Sequence, residues 1–344
     1  MSTPQAVPRL LPPLVLFVLA PFIAEASIGT AFVPSGIFAF LVLVPVYGGG
    51  ALLVREVVVR RGGGYLAVVL LGLAYATVEE GLALGSFFSP SIYEAIGPRW
   101  GGVAFGVNGV YTLFQLVNHA LFSVTVPIVL VDLCFPSRRG TPWLRTPGLI
   151  VAAVVFLLGF ALIRFATVFS LDPLFALPTP LLVASLVAIA ACIVAGMLVW
   201  PSIGTNATAA TAGPPRPAVL FGFAGLLTCV ALGVLGLGGH LGLLAASRPM
   251  LAGALVVFLV AVTLGAICTW RWSRRPGFDD RHRLALAAGA VLAHQVVLGI
   301  IHPTSDPARV GVAVTGVVMA GLLVLLGRSV SRRRAAESQP CPPA

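Results

Sequence analysis

Apolar runs of about 20 residues recur ten times along this chain, at about 9–26, 32–54, 65–86, 104–134, 147–167, 179–200, 217–237, 249–270, 284–302 and 310–327. A helix of that length crosses roughly 30 Å of hydrocarbon. In lipid the backbone must satisfy its own hydrogen bonds, so helices or a closed barrel are the available solutions, and no ten-residue alternation of a barrel is present. Composition agrees: 58% of the 344 residues are hydrophobic and 9% charged, whereas a soluble domain carries about 25% charged residues. The mean hydropathy is +1.03. The expected fold class is all-α, a polytopic transmembrane helix bundle of about ten spans in one domain (1–327), with a basic, disordered tail over 328–344.

The basic residues orient the bundle. All 21 are arginine. The segments 55–63, 135–146, 201–216, 271–283 and the tail hold three, three, one, five and four of them, while the alternate segments 27–31, 85–103, 166–178, 238–249 and 303–309 hold none, one, none, one and one. Cytoplasmic loops carry the excess of positive charge, so both termini are expected in the cytoplasm and the protein in the cell membrane. The same placement, in short clusters between spans, argues against nucleic acid as the partner of a chain of net charge +10; the expected partners are the lipid bilayer and an unidentified small molecule, ion or peptide. Five scattered cysteines without a C-x-x-C pair predict neither a disulfide framework nor a zinc knuckle. The arginine-only, Ala/Gly/Val/Leu-rich composition resembles that of uncharacterised multi-pass membrane proteins of actinobacterial type.

At the N-terminus, Arg9 precedes an apolar run that ends in Ala24-Glu25-Ala26. This fits a signal peptide with a cleavage site, but Pro12, Pro13 and Pro21 interrupt the run, and a retained first helix is the expectation. Pro34, Pro45 and Pro127 mark bends, and Gly48-Gly49-Gly50 marks a close helix contact. Trp100 and Tyr93 suit an outer interfacial loop, and 201–216 reads as a linker. The fourth run is longer than one crossing needs, and tilt, a bend at Pro127 or a start outside the hydrocarbon would each account for it.

Function is sought where ionisable groups interrupt the apolar runs, because a charge in hydrocarbon is costly and faces a bundle interior, a partner or a cavity. The third run carries the adjacent Glu79 and Glu80. The fourth carries Asn108, Thr112, Gln115, His119 and Ser123 at spacings of four, three, four and four, one face of a helix. With Glu25, Arg164, His294 and His302, these groups fall in the outer half of the membrane, which predicts a cavity open to the outside. Adjacent helical residues point about 100° apart, so one of Glu79 and Glu80 is expected to bind and the other to pair with Arg164 or take up a proton. Hydrogen-bonded packing is the plainer reading for His294, His302 and Glu25, as an interfacial ion pair is for Arg55, Glu56 and Asp132.

Two carboxylates and a histidine in a low-dielectric site can hold a zinc-type divalent metal, with Glu80, His119 and His294 as ligands, and activate water. The Glu79-Glu80 pair, followed 39 residues later by His119, resembles the intramembrane metalloprotease family that includes prenyl-protein endopeptidases and bacteriocin-immunity proteins. That family carries E-E-x-x-x-R, F-x-x-x-H and a third histidine motif. The resemblance covers residues 65–135 and implies catalytic or metal-binding roles for Glu79, Glu80 and His119, with His294 as the third-motif equivalent. Leu84 stands where that family has arginine and Gln115 where it has phenylalanine. The same residues also suit a proton- or cation-coupled transporter, with Glu79, Glu80 and His119 as relay and Asn108, Thr112, Gln115, Ser123, Glu25 and Arg164 along the substrate path. A third reading is a membrane scaffold or partner subunit whose polar stripe joins helices.

Overall fold

The computed structural model describes residues 8–25, 34–96, 101–199, 213–301 and 305–337. His302, Arg99, Trp100, Cys341 and most of the 201–216 linker lie outside the described residues. Ten helices match the ten apolar runs: α1 (Leu11–Ala24), α2 (Pro34–Arg60), α3 (Tyr65–Leu84), α4 (Gly109–Cys134), α5 (Thr146–Leu171), α6 (Thr179–Leu198), α7 (Pro217–His240), α8 (Arg248–Ser273), α9 (Asp280–Ile301) and α10 (Asp306–Glu337). From α2 onward each is long and apolar enough to cross a membrane. With 14 residues, α1 reaches only about 21 Å, yet Leu16, Ala20 and Ile23 are fully buried against the bundle.

Two boundaries differ from the sequence expectation. The fourth crossing starts at Gly109, because residues 103–108 form a small antiparallel hairpin in which Val103 pairs with Asn108 and Ala104 with Val107. The last helix continues through Glu337. The region beyond residue 327 is therefore helical and not disordered as far as it is described; Arg333 ties it down by donating to the Leu133 carbonyl at 2.8 Å.

The centre of the bundle is α4, which touches α1, α2, α3, α7, α9 and α10. It separates two apolar cores, one built from α1, α2, α3 and α5 and the other from α7, α8, α9 and α10. The outward faces of α5, α6 and α8 leave large residues such as Leu157, Val187 and Val260 exposed, as lipid contact requires. Close approach on the first side depends on Gly48, Gly49 and Gly50. Successive helical residues point about 100° apart, so the three glycines meet three helices: a Cβ on each would strike Phe17 of α1, Phe156 of α5 and Tyr75 of α3 respectively.

The arginine-rich end is closed by a buried knot. Arg55 is 1% exposed; it donates to Asp132 at 3.3 Å, to Glu56 at 3.3 Å and to the carbonyls of Arg138, Arg139 and Thr141. Its guanidinium lies 3.2 Å from the ring centroid of Trp143. Glu56 also accepts from the Trp143 and Leu144 backbone N–H groups and from Arg60. The expectation of an ordinary interfacial pair is thus corrected, because the 135–145 loop folds over the charges and removes them from water.

Candidate functional site

Local departures from α-helical geometry build the site. The last two turns of α3, Thr77–Leu84, are π-helical and stop at Gly85, which takes a left-handed conformation (φ 72°). In α4 the stretch His119–Thr125 is π-helical as well. It lies just ahead of Pro127, which has no N–H to donate to the preceding turn; the Thr125 hydroxyl there donates to the Ala120 carbonyl at 2.7 Å. The sequence suggested a bend at Pro127, and the chain accommodates the proline with a widened turn, a feature frequent at functional sites.

These widened turns place both carboxylates on one imidazole. Glu80 Oε1 lies 2.8 Å from His119 Nε2, and Glu79 Oε2 lies 3.3 Å from His119 Nδ1. The expectation that only one of the two faces the site is overturned, since it assumed α-helical spacing. Glu79, Glu80 and His119 are 0%, 2% and 3% exposed. The site is therefore not the open cavity expected: Tyr47, Tyr75 and Tyr111, all buried, pack around it.

The two carboxylates have unequal surroundings. Glu80 accepts from Gln115 Nε2 at 2.7 Å, from the Tyr111 hydroxyl at 3.0 Å and from the Ser86 hydroxyl, besides facing His119. Four donors fill the acceptor positions of one carboxylate. Neither oxygen of Glu79 meets hydrogen-bond geometry with any described neighbour. The Tyr47 and Tyr75 hydroxyls face Glu79, and the first donates to Glu25 at 2.6 Å.

The predicted stripe divides. Gln115 bonds to Glu80, and Ser123 lies 2.9 Å from His119 Nδ1. Asn108 instead caps α4 by accepting from the Tyr111 N–H at 3.0 Å, and the buried Thr112 hydroxyl has no partner. Arg164 donates to the Leu82 carbonyl at 3.4 Å. Among the described residues it forms no ion pair, which corrects its expected role as counter-ion. Asn118, off the stripe and missed from the sequence, links the site to the other core: its Nδ2 donates to Gln115 Oε1 at 3.4 Å, and its Oδ1 lies 2.9 Å from His294 Nε2 on α9. His294 stacks on Phe122, ring centroids 4.0 Å apart. Tyr47, Tyr75, Tyr111 and Ser86 were likewise missed. Only Tyr111 had a sequence signal, its i, i+4 relation to Gln115.

The expected zinc-type site does not fit this arrangement. The two carboxylates approach opposite sides of the His119 ring, so they cannot share one ion with a single ring nitrogen. Among the described residues no group of three or more His, Cys, Asp or Glu could hold a metal ion.

Fold and site define an all-α, multi-pass membrane protein with a buried acid–imidazole–acid cluster at the meeting point of its helices. The chain belongs to an uncharacterized membrane protein family, whose pattern it matches over residues 14–343. No curated protein and no solved structure matches it.

Proposed function

We propose that this protein is a proton- or cation-coupled carrier of the cell membrane, its termini in the cytoplasm, in which Glu79, His119 and Glu80 bind the coupling ion. The observation that supports this most is Glu79: a carboxylate shut from water, 3.3 Å from an imidazole nitrogen whose ring already faces a second carboxylate. Two ionised carboxylates and one imidazolium sum to −1, and one further proton brings the cluster to zero. That change falls on α4, the helix on which both cores rest, so it alters the electrostatic cost of keeping α3 and α4 closed. Gln115 and Asn118 carry no transferable proton; they transmit position from the cluster to His294.

The test is infrared difference spectroscopy across pH on protein reconstituted in vesicles, paired with proton uptake reported by a trapped pH dye. Wild type shows a titrating buried carboxyl and acid-driven uptake; Glu79→Gln loses the carboxyl signal and takes up protons no faster than empty vesicles. A Glu79→Gln variant that titrates and fluxes like wild type refutes the assignment.

A further inference from the structure

At the arginine-rich end, α9, α10 and Phe221 of α7 line an apolar groove of about 390 Å³. Small residues make room for it, Ala285 and Ala288 on α9 and Ala320 and Gly327 on α10. Along α9 its lining runs from Arg281 to Leu292, and along α10 from Ala320 to Ser331. Twelve residues of helix span eleven rises, about 16 Å, one leaflet of a hydrocarbon core roughly 30 Å thick. The groove is thus as long as the acyl region of a single leaflet, and its volume lies within the roughly 300–1,000 Å³ of small-molecule sites.

Arg281 stands at its mouth. The neighbouring acids are already matched: Asp279 accepts from Arg334 at 2.5 Å and lies 2.6 Å from His282, and Asp280 accepts from Arg139 at 2.8 Å and Arg283 at 2.7 Å. The Arg281 side chain pairs with none of them. Its Nε is closed off from solvent with no acceptor among the described residues, so one donor of the cationic fork stands unmatched at the end of an acyl-length slot. Arg328 follows Gly327 on α10 and is exposed at the same end.

We infer that the groove between α9 and α10 binds one anionic phospholipid of the arginine-rich leaflet, its acyl chain lying between the two helices and its phosphate accepting from Arg281. The length of the slot sets the chain, and the unmatched charge sets the headgroup. This site lies apart from the Glu79–His119–Glu80 cluster and does not depend on the carrier reading.

The experiment uses full-length protein reconstituted in vesicles of equal parts phosphatidylglycerol and phosphatidylcholine, re-extracted in mild detergent, with retained lipid counted by native mass spectrometry. Wild type retains one lipid per chain and prefers phosphatidylglycerol about fivefold, the gain expected from one arginine at an anionic headgroup. Arg281→Gln melts like wild type, because its guanidinium has no acceptor among the described residues, and the preference falls to near one. Ala320→Phe fills the slot and loses both lipids. Equal retention of the two lipids by wild type, or a preference that survives Arg281→Gln, overturns the inference.

Discussion

Removal of Arg55 tests whether the knot at the arginine-rich end holds the bundle together. The side chain satisfies two acidic residues and three backbone carbonyls while covering Trp143. In Arg55→Met, Asp132 keeps only the Tyr65 hydroxyl at 3.2 Å among the described side-chain donors, whereas Glu56 keeps Arg60 and two backbone N–H groups. The loss therefore centres on Asp132, one buried carboxylate without its counter-ion, at about 3–5 kcal/mol, plus roughly 0.5–2 kcal/mol of cation–π contact. Methionine refills part of the volume, so the expected destabilisation is about 4 kcal/mol. Adding Asp132→Asn removes the stranded charge and is expected to restore about half of that. Equilibrium unfolding in mixed micelles, followed by tryptophan fluorescence, reads both variants and, with Asp132→Asn alone as the fourth corner, yields the coupling energy of the pair. An Arg55→Met protein within about 1 kcal/mol of wild type, or a double variant no more stable than the single, refutes the reasoning.

The α3–α4 contact beside the site rests on Gly72, where a Cβ would lie 3.0 Å from the Cα and carbonyl oxygen of Ala120; Gly72→Ala is expected to cost about 1–3 kcal/mol by overpacking, read as a lowered melting temperature in detergent. Asp279, in the loop before α9, is pushed up by burial, but the hydrogen bond and charge of His282 and the charge of Arg334 outweigh this and hold it below the ordinary carboxylate range. A depressed carboxylate stabilises the fold above its unfolded value of about 3.9 and loses that contribution as pH falls through its folded value. Asp279→Asn should therefore be less stable than wild type at neutral pH by up to about 1 kcal/mol, the pair being partly exposed, with the gap closing below about pH 3.9 in an acid-unfolding titration.

The crossings were legible in the sequence because lipid imposes one rule, a helix long enough to satisfy its own backbone, and nine of the ten apolar runs obey it, α1 being the short one. Gln115, His119 and Ser123 were legible as a stripe because one widened turn in α4 rotates them too little to break the face that i, i+4 spacing predicts. Glu79 and Glu80 were legible as residues but not as a geometry. Their joint approach to His119 depends on π-helical turns, which apolar periodicity does not encode. Asn118 was missed because it lies off the stripe, and its role appears only when α9 brings His294 to it across 176 residues. Arg55, Glu56 and Asp132 looked interfacial because they sit at helix ends; a loop far along the chain buries them. Arg164 looked like a counter-ion because unpaired charges in lipid are costly, yet a backbone carbonyl takes its hydrogen bond.

The difference between the two buried charge clusters bears on function. At the arginine-rich end, Arg55 contacts Glu56 and Asp132, and the surrounding loop supplies further donors and acceptors until the group is saturated. At the other cluster, Glu80 accepts from Ser86, Tyr111 and Gln115, while Glu79, one residue away and equally buried, meets among the described residues only the His119 imidazole and the Tyr47 and Tyr75 hydroxyls. A buried carboxylate with so few partners is expensive, and a fold that needed only rigidity at this point would satisfy or replace Glu79. Hydrogen bonds around Glu80 fix the orientation of His119, so they keep the second carboxylate at a defined distance from an imidazole. One member of the pair thus positions the site, and under the carrier proposal the other is the member left to take the coupling ion.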